Sequence, residues 1–248
     1  MRFSTVLVSA YAVTVSAAPA FPDFRIKDVV NPEDTLTALS EYFNVLATKV
    51  QLAKYLSEPP TCDVSTAKMP SAPEALAPPA EGLQVSSVVV GRGTQNYTCD
   101  AGNANAEPAA AGAVATLFDA SCVAALYPDL LDRIPGMALR FNLSDPEQLG
   151  ASPLPVVGVH YFSAKTTPFF DIGNGVEVFT KKAADTPAPA TAAVGQRGES
   201  AVAWLKLDAV EGTTGNVKEV YRVTTAGGAP PKTCENMPET FEVEYATA

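Results

Sequence analysis

His160 and Asp171 are the residues of this chain whose types best suit acid–base chemistry. His160 is the only histidine. An imidazole oriented by a carboxylate can act as a general base, and with a nucleophile it would make a hydrolase. No G-x-S-x-G elbow stands anywhere in the chain to supply that nucleophile. The alternative is a structural histidine. In Val156–Phe162, Val157, Val159 and Tyr161 fall on one side, and Val156, Gly158, His160 and Phe162 on the other. Both sides are apolar, so the strand reads as covered on both, with His160 neutral and bonded to backbone carbonyls or to Asp171. A metal site is not expected, because there is no C-x-x-C and carboxylates would have to complete the shell around one imidazole.

Three other patterns carry weaker chemistry. Gly91-Arg92-Gly93-Thr94-Gln95-Asn96 follows a β-branched run and approaches a dinucleotide loop. Such a loop needs a third glycine and then a helix whose positive end meets the pyrophosphate. Tyr97-Thr98-Cys99 follows instead, which reads as strand, so the glycines mark a bend in a sheet and no cofactor is expected. The pairs Asp129/Asp132 and Glu242/Glu244 have the residue types of a glycosidase, but such acids are common on this surface. Trp204 and Tyr221 lie in expected strands, where core packing takes precedence over sugar stacking. Asn96-Tyr97-Thr98 and Asn142-Leu143-Ser144 are N-glycosylation sequons, with Asn96 and Asn142 as acceptors.

Residues 1–17 read as a secretory signal, with Arg2, an apolar centre and a small-residue cleavage site at Val15-Ser16-Ala17. The apolar run is too short to span a bilayer, so the mature chain is expected to be secreted, with no membrane partner. Cleavage would remove one of 17 basic residues and none of 27 acidic ones, from a chain already at −10. A surface of that sign repels phosphate backbones, which argues against nucleic acid. Cys62, Cys99, Cys122 and Cys234 remain, an even number that in an oxidising compartment implies two disulfides. Spacing leaves all three pairings open.

The elements that must position these residues follow in order. Asn31-Pro32-Glu33-Asp34 starts a helix. Leu36, Leu39, Phe43, Leu46 and Val50 share its apolar face, within an N-terminal segment 18–57. A proline-dense segment, 58–82, should run extended over the surface, pinned by Cys62. The β-domain is 83–248. Strands are expected at Leu83–Val90, Gly93–Thr98, Ala113–Ala120, Met137–Leu143, Val156–Phe162, Ala201–Leu207, Val217–Thr225 and Phe241–Tyr245. Phe169–Ile172 and Val176–Phe179 form a hairpin about Gly173-Asn174-Gly175. Cys122–Arg133 reads as a short helix stopped by Pro135-Gly136, and Ala183–Gly198 as a loop. The fold class is therefore all-β, an antiparallel sandwich or barrel with an N-terminal helix and a short internal helix.

Five segments in this order resemble a known family: Gly91–Cys99, Gly112–Ala115, Gly158–Phe162, Ala203–Leu207 and Val220–Cys234. The resemblance, over about Ser57 to Tyr245, is to a secreted fungal family built on a domain of unknown function and often labelled malate dehydrogenase-like. The residues here do not support that label, since the glycine loop is incomplete and no βαβ alternation is present. Relatives run past the last strand, so the resemblance implies that part of an edge strand lies beyond Ala248. It also implies the pairing Cys99–Cys234 and Cys62–Cys122.

The sequence thus describes a secreted, disulfide-bonded, N-glycosylated protein, read as a non-catalytic module that binds cell-wall carbohydrate or another extracellular ligand. A secreted hydrolase using His160 and Asp171 is the alternative. One outcome follows from the incomplete glycine loop. Calorimetry with NAD and NADP on the deglycosylated protein should show no binding, and micromolar affinity for either would contradict the sheet-bend reading of Gly91–Gly93.

Overall fold

The structure is a computed structural model that describes residues 62–248, except 73, 142–148, 150, 151, 153, 164 and 165. The expected signal, the helix at 31–57 and the Asn142 sequon lie outside the described residues.

The β-domain is one antiparallel sheet of nine strands, curled into a half-barrel. The strands are β1 (Val89–Thr98), β2 (Ala109–Asp119), β3 (Val156–Ser163), β4 (Thr167–Asp171), β5 (Glu177–Thr186), β6 (Trp204–Ala209), β7 (Glu219–Arg222), β8 (Ala226–Gly227) and β9 (Thr240–Thr247). Their order across the sheet is β7-β6-β5-β4-β3-β2-β1-β9-β8. β7 and β8 are opposite edges, yet only Val223–Thr225 separates them in the chain. Val223 and Ala248 exchange backbone hydrogen bonds of 2.8 and 3.1 Å there. One segment therefore pairs with β6 at its start and β9 at its end, and ties the two edges together.

The curl is made possible by glycine on its concave face. Gly93 lies opposite Ala115, and a Cβ added to it would stand 1.8 Å from the Val114 carbonyl oxygen. At Gly158 the same atom would stand 1.8 Å from the Asp171 carbonyl oxygen. At both points the neighbouring backbone fills the space a side chain needs, so the strands fold toward each other as they cannot at an ordinary residue. The remaining concave positions on β1 and β2 are small or buried: Gly91, Gln95, Tyr97, Ala113, Ala115 and Leu117. β5 makes a second corner. Glu177–Phe179 pairs with β4 and Thr180–Thr186 with β6, with a register shift between Lys182 and Ala184.

A second core sits on the convex side under three short helices: α1 (Ser121–Leu126), α2 (Pro128–Leu131) and α3 (Ile134–Ala138). Val90, Phe118 and Ala246 from the sheet meet Leu131, Ile134 and Leu139 there. Arg92 is buried at this junction. It donates to Ala138 O (3.3 Å), Tyr245 O and Phe141 O (both 3.4 Å) and Gly93 O (3.1 Å), and pairs with Glu244. It thereby satisfies carbonyls at the end of α3 while joining them to β1 and β9.

Several expected boundaries move. The strand expected at Met137–Leu143 is the end of α3 and a turn through Phe141, the remainder lying outside the described residues. Pro135 fits the first helical turn, and the adjacent Ala138 and Leu139 are both buried, which an alternating strand would not allow. Pro135-Gly136 therefore begins a helix instead of stopping one. Gly91 and Gly93 lie inside one continuous strand, not between two, and Leu83–Val88 is not in the ladder. β5 runs on to Thr186 into the expected loop, because β6 is there to pair with it. The hairpin forms as read, with Gly173, Asn174 and Gly175 at φ of 76°, 53° and 76°.

The proline-rich segment crosses the outer surface of β6 and β7. Lys206 donates to Pro78 O (2.8 Å), Tyr221 to Ala77 O (3.0 Å), and the Ala80 amide to Glu219 (3.3 Å). Cys62 is bonded to Cys122 on α1, and Cys99 at the end of β1 to Cys234. These bridges span 60 and 135 residues, and each shortens the unfolded chain's excursions.

The glycine geometry separates two neighbouring substitutions. Gly93→Ala should destabilise by more than about 3 kcal/mol, because its methyl group would meet backbone that cannot step aside. At Gly91 a methyl would stand 3.4 Å from the Leu117 side chain, an ordinary contact. Gly91→Ala should therefore change stability by less than about 1 kcal/mol. Urea unfolding of the two variants measures both, and equal losses would contradict the close-approach account.

Candidate functional site

His160 lies on the concave side of β3, and only 8% of its surface is exposed. Its Nδ1 is 2.8 Å from the Phe169 carbonyl oxygen. A carbonyl only accepts, so Nδ1 carries the proton of the neutral ring. The imidazole stacks on Phe170 with ring centres 4.2 Å apart and meets Phe162 edge-on at 5.8 Å. Burial pushes its pKa down to about 4, with the Phe169 hydrogen bond opposing and the Arg222 charge adding to the fall. The ring is neutral at physiological pH and sits against aromatic side chains.

The β3–β4 register decides whether His160 and Asp171 form a dyad. His160 lies opposite Phe170, and Val159 opposite Asp171. Successive residues of a strand point to opposite faces, so the imidazole and the carboxylate are on opposite sides of the sheet. Asp171 spends an oxygen on the Gly173 amide at 2.9 Å, inside the hairpin turn. The structure does not bring the two together. The acid pairs also divide: Glu244 belongs to Arg92, while Glu242 lines an open groove of roughly 480 Å³ with Asn96, Thr98, Ala111, Thr240 and Phe241. Asp132 has a pKa raised by burial and by neighbouring Asp129. Among the described residues no three His, Cys, Asp or Glu side chains gather as metal ligands. The other sequon, at Asn96, lies on the convex face of β1, where its side-chain oxygen accepts from Thr94 at 3.1 Å.

The convex face of β2, β3 and β4 differs from the expected sandwich core. Val114 opposite Tyr161, and Thr116 opposite Val159, are neighbours there. Val114, Val159 and Tyr161 are 54, 42 and 41% exposed. The strand is covered on the concave side only, because a curled single sheet brings no second layer over this part of its outside. An aromatic row crosses the same face. Phe179 and Phe169 pack at 4.7 Å, and Phe169 and Tyr161 at 4.9 Å. The loop after β6 covers the Phe179 end, where Gly212 passes over the ring, while Tyr161 ends the row in the open. The alternation Val157, Val159, Tyr161 is legible in the sequence, but it does not say which face the rest of the chain covers.

The pKa of His160 gives a linked outcome. It is below the ordinary 6.5, so between pH 4 and 6.5 the unfolded chain binds the proton and the folded one does not. Stability from this group is full above pH 6.5 and is lost as pH falls toward 4, by about 3 kcal/mol. His160→Gln should cost about 1–3 kcal/mol at neutral pH and should flatten the wild type's fall over that window. Denaturation midpoints of both proteins from pH 7 to 4 provide the comparison. Parallel curves would mean the ring is not held neutral by burial.

No curated protein and no solved structure matches the chain. One family model does, over residues 79–248, from the last turn of the proline-rich segment through β9. That range takes in Gly93, Gly158, Arg92, His160 and the Cys99–Cys234 bridge, and the chain belongs to the family described as Protein of unknown function (DUF3455).

Proposed function

We propose that this protein is a secreted, non-catalytic binding module of the cell wall or cell surface, and that it makes contact through the convex face of β2 and β3. The open end of the aromatic row at Tyr161 carries this reading. Tyr161 is fixed by its strand and by Phe169 behind it, so it presents a ring at little entropic cost. Val114 and Val159 widen the apolar surface, and Thr94, Thr116 and Asp171 on the same face supply polar groups at its margin. A flat ring bordered by hydroxyls and a carboxylate suits the apolar face and hydroxyl rim of a sugar. The two disulfides fit an extracellular setting. The signal-like residues 1–17, the Asn96 sequon and the fungal origin implied by the resemblance belong to the same reading.

Sedimentation with insoluble chitin, β-glucan and mannan tests it. Wild type should partition onto at least one of these. Tyr161→Ala should weaken that binding about fivefold to tenfold, from a stacking contribution of ~1–1.5 kcal/mol, with its melting temperature unchanged. Failure of the wild type on all three, or equal binding by the variant, would contradict the proposal.

A further inference from the structure

The outer face of β6 and β7 holds a second feature, independent of the Tyr161 surface. The proline-rich segment lies on it as an extended peptide lies on a receptor. Pro78 and Pro79 have no amide hydrogen, so the backbone there can be gripped only by its carbonyl oxygens. The face supplies donors at that place. Lys206 Nζ donates to Pro78 O at 2.8 Å and the Tyr221 hydroxyl to Ala77 O at 3.0 Å. Glu219 accepts the first amide beyond the prolines, that of Ala80, at 3.3 Å. Further along, Thr186 on β5 donates to Glu74 O at 3.0 Å. All four bonds are to the main chain of the segment, so they suit an extended proline run and not one set of side chains.

The two sides of this contact differ in how firmly they are held. On the sheet, the gripping side chains fix one another. Lys206 Nζ is 3.0 Å from Glu219 Oε1 and 5.6 Å from the centre of the Tyr221 ring. The Tyr221 hydroxyl is also 3.0 Å from Glu219 Oε2, so its one proton is shared between Glu219 and Ala77 O. Glu219 therefore keeps both donors in place whether or not the segment is present, and such a site binds without first having to be ordered. The segment itself is lightly held. Ala77, Pro78, Pro79 and Ala80 are all exposed, and single hydrogen bonds contribute little net stability, so this stretch belongs to the part of the protein that opens first. Lys206, Glu219 and Tyr221 fall within the range of the family match, while Glu74, Ala77 and Pro78 precede it.

We propose that the outer face of β6 and β7 is a docking site for an extended proline-rich stretch of another protein, and that residues 74–80 occupy it as a tethered competitor. Nothing in the four bonds is peculiar to this chain's own segment. A separate polypeptide with the same run of prolines presents the same carbonyls to Lys206 and Tyr221, and it enters when the segment lifts.

Titration of the full chain with a fluorescein-labelled peptide of residues 74–82 tests the proposal. Pro78→Gly together with Pro79→Gly lies outside the strands and loosens the segment by restoring its backbone freedom. Hydrogen exchange at the Ala80 amide reports that the segment has lifted. The peptide should bind this double variant at least about fivefold tighter than wild type, where the tethered segment competes. Adding Lys206→Met or Tyr221→Phe should weaken binding about threefold to fivefold. A peptide with glycine in place of both prolines should bind more weakly than its parent. Absence of binding to the double variant, or equal binding of the glycine peptide, would overturn the site. Continued protection of the Ala80 amide in the double variant would also overturn it, because a face that never releases its own segment cannot receive another. Sedimentation velocity of the wild type covers the remaining occupant: a dimer abolished by Tyr221→Phe would mean that copies exchange their segments, and the proposal of a separate partner would fall.

Discussion

Where Gly93 faces Val114 and Gly158 faces Asp171, the backbones of adjacent strands come so close that a methyl group would overlap a carbonyl oxygen. That close approach sets the curvature of the sheet, and the curvature sets much of the rest. A curled sheet has an inside with little room and an outside with more than one chain can cover. Small side chains and His160 lie inside, while Val114, Val159 and Tyr161 are left in the open on the outside. The sheet-bend reading of Gly91-Arg92-Gly93 and the failure of a dinucleotide loop there have one physical origin. Glycine at that place accommodates neighbouring backbone, not a phosphate.

The outside is closed where the three helices lie, and Arg92 fixes them. Its guanidinium is almost completely buried, and its donors meet carbonyls of α3 and the turn after it, of β1 and of β9, together with the Glu244 carboxylate. Such a charge is tolerated inside a protein because its donors are met. Arg222 is less deeply buried and donates to one carbonyl, that of Ala203.

His160 illustrates how position overrides residue type. The one imidazole of the chain is desolvated, bonded to a carbonyl, stacked on Phe170 and met edge-on by Phe162, so at neutral pH the ring is uncharged. Asp171, the carboxylate nearest along the sequence, serves the hairpin turn on the opposite face. A one-residue difference in register between β3 and β4 would have put both side chains on one side.

By itself the sequence determined what is local. The Asn-Gly hairpin was legible because positive φ is a property of those residues. The all-β class followed from short strands between turn signals, and the β3 strand from an apolar run bounded by proline. Where local signals were ambiguous they misled. Met137–Leu143 alternates like a strand but is helix and turn through Phe141, because a few residues cannot distinguish the two periods and the packing of Ala138 and Leu139 decides. Only the tertiary structure decided which face of β3 is covered, since coverage depends on how far the sheet curls and on where the helices and the 210–215 loop come to rest. It alone brought Gln95, Tyr97 and Tyr245 around Gly228 from two separate strands, a proximity no spacing in the chain encodes. Spacing left the cysteine pairing open for the same reason: a bridge joins positions that are neighbours in space, and 60 or 135 residues of chain say nothing about where their ends meet.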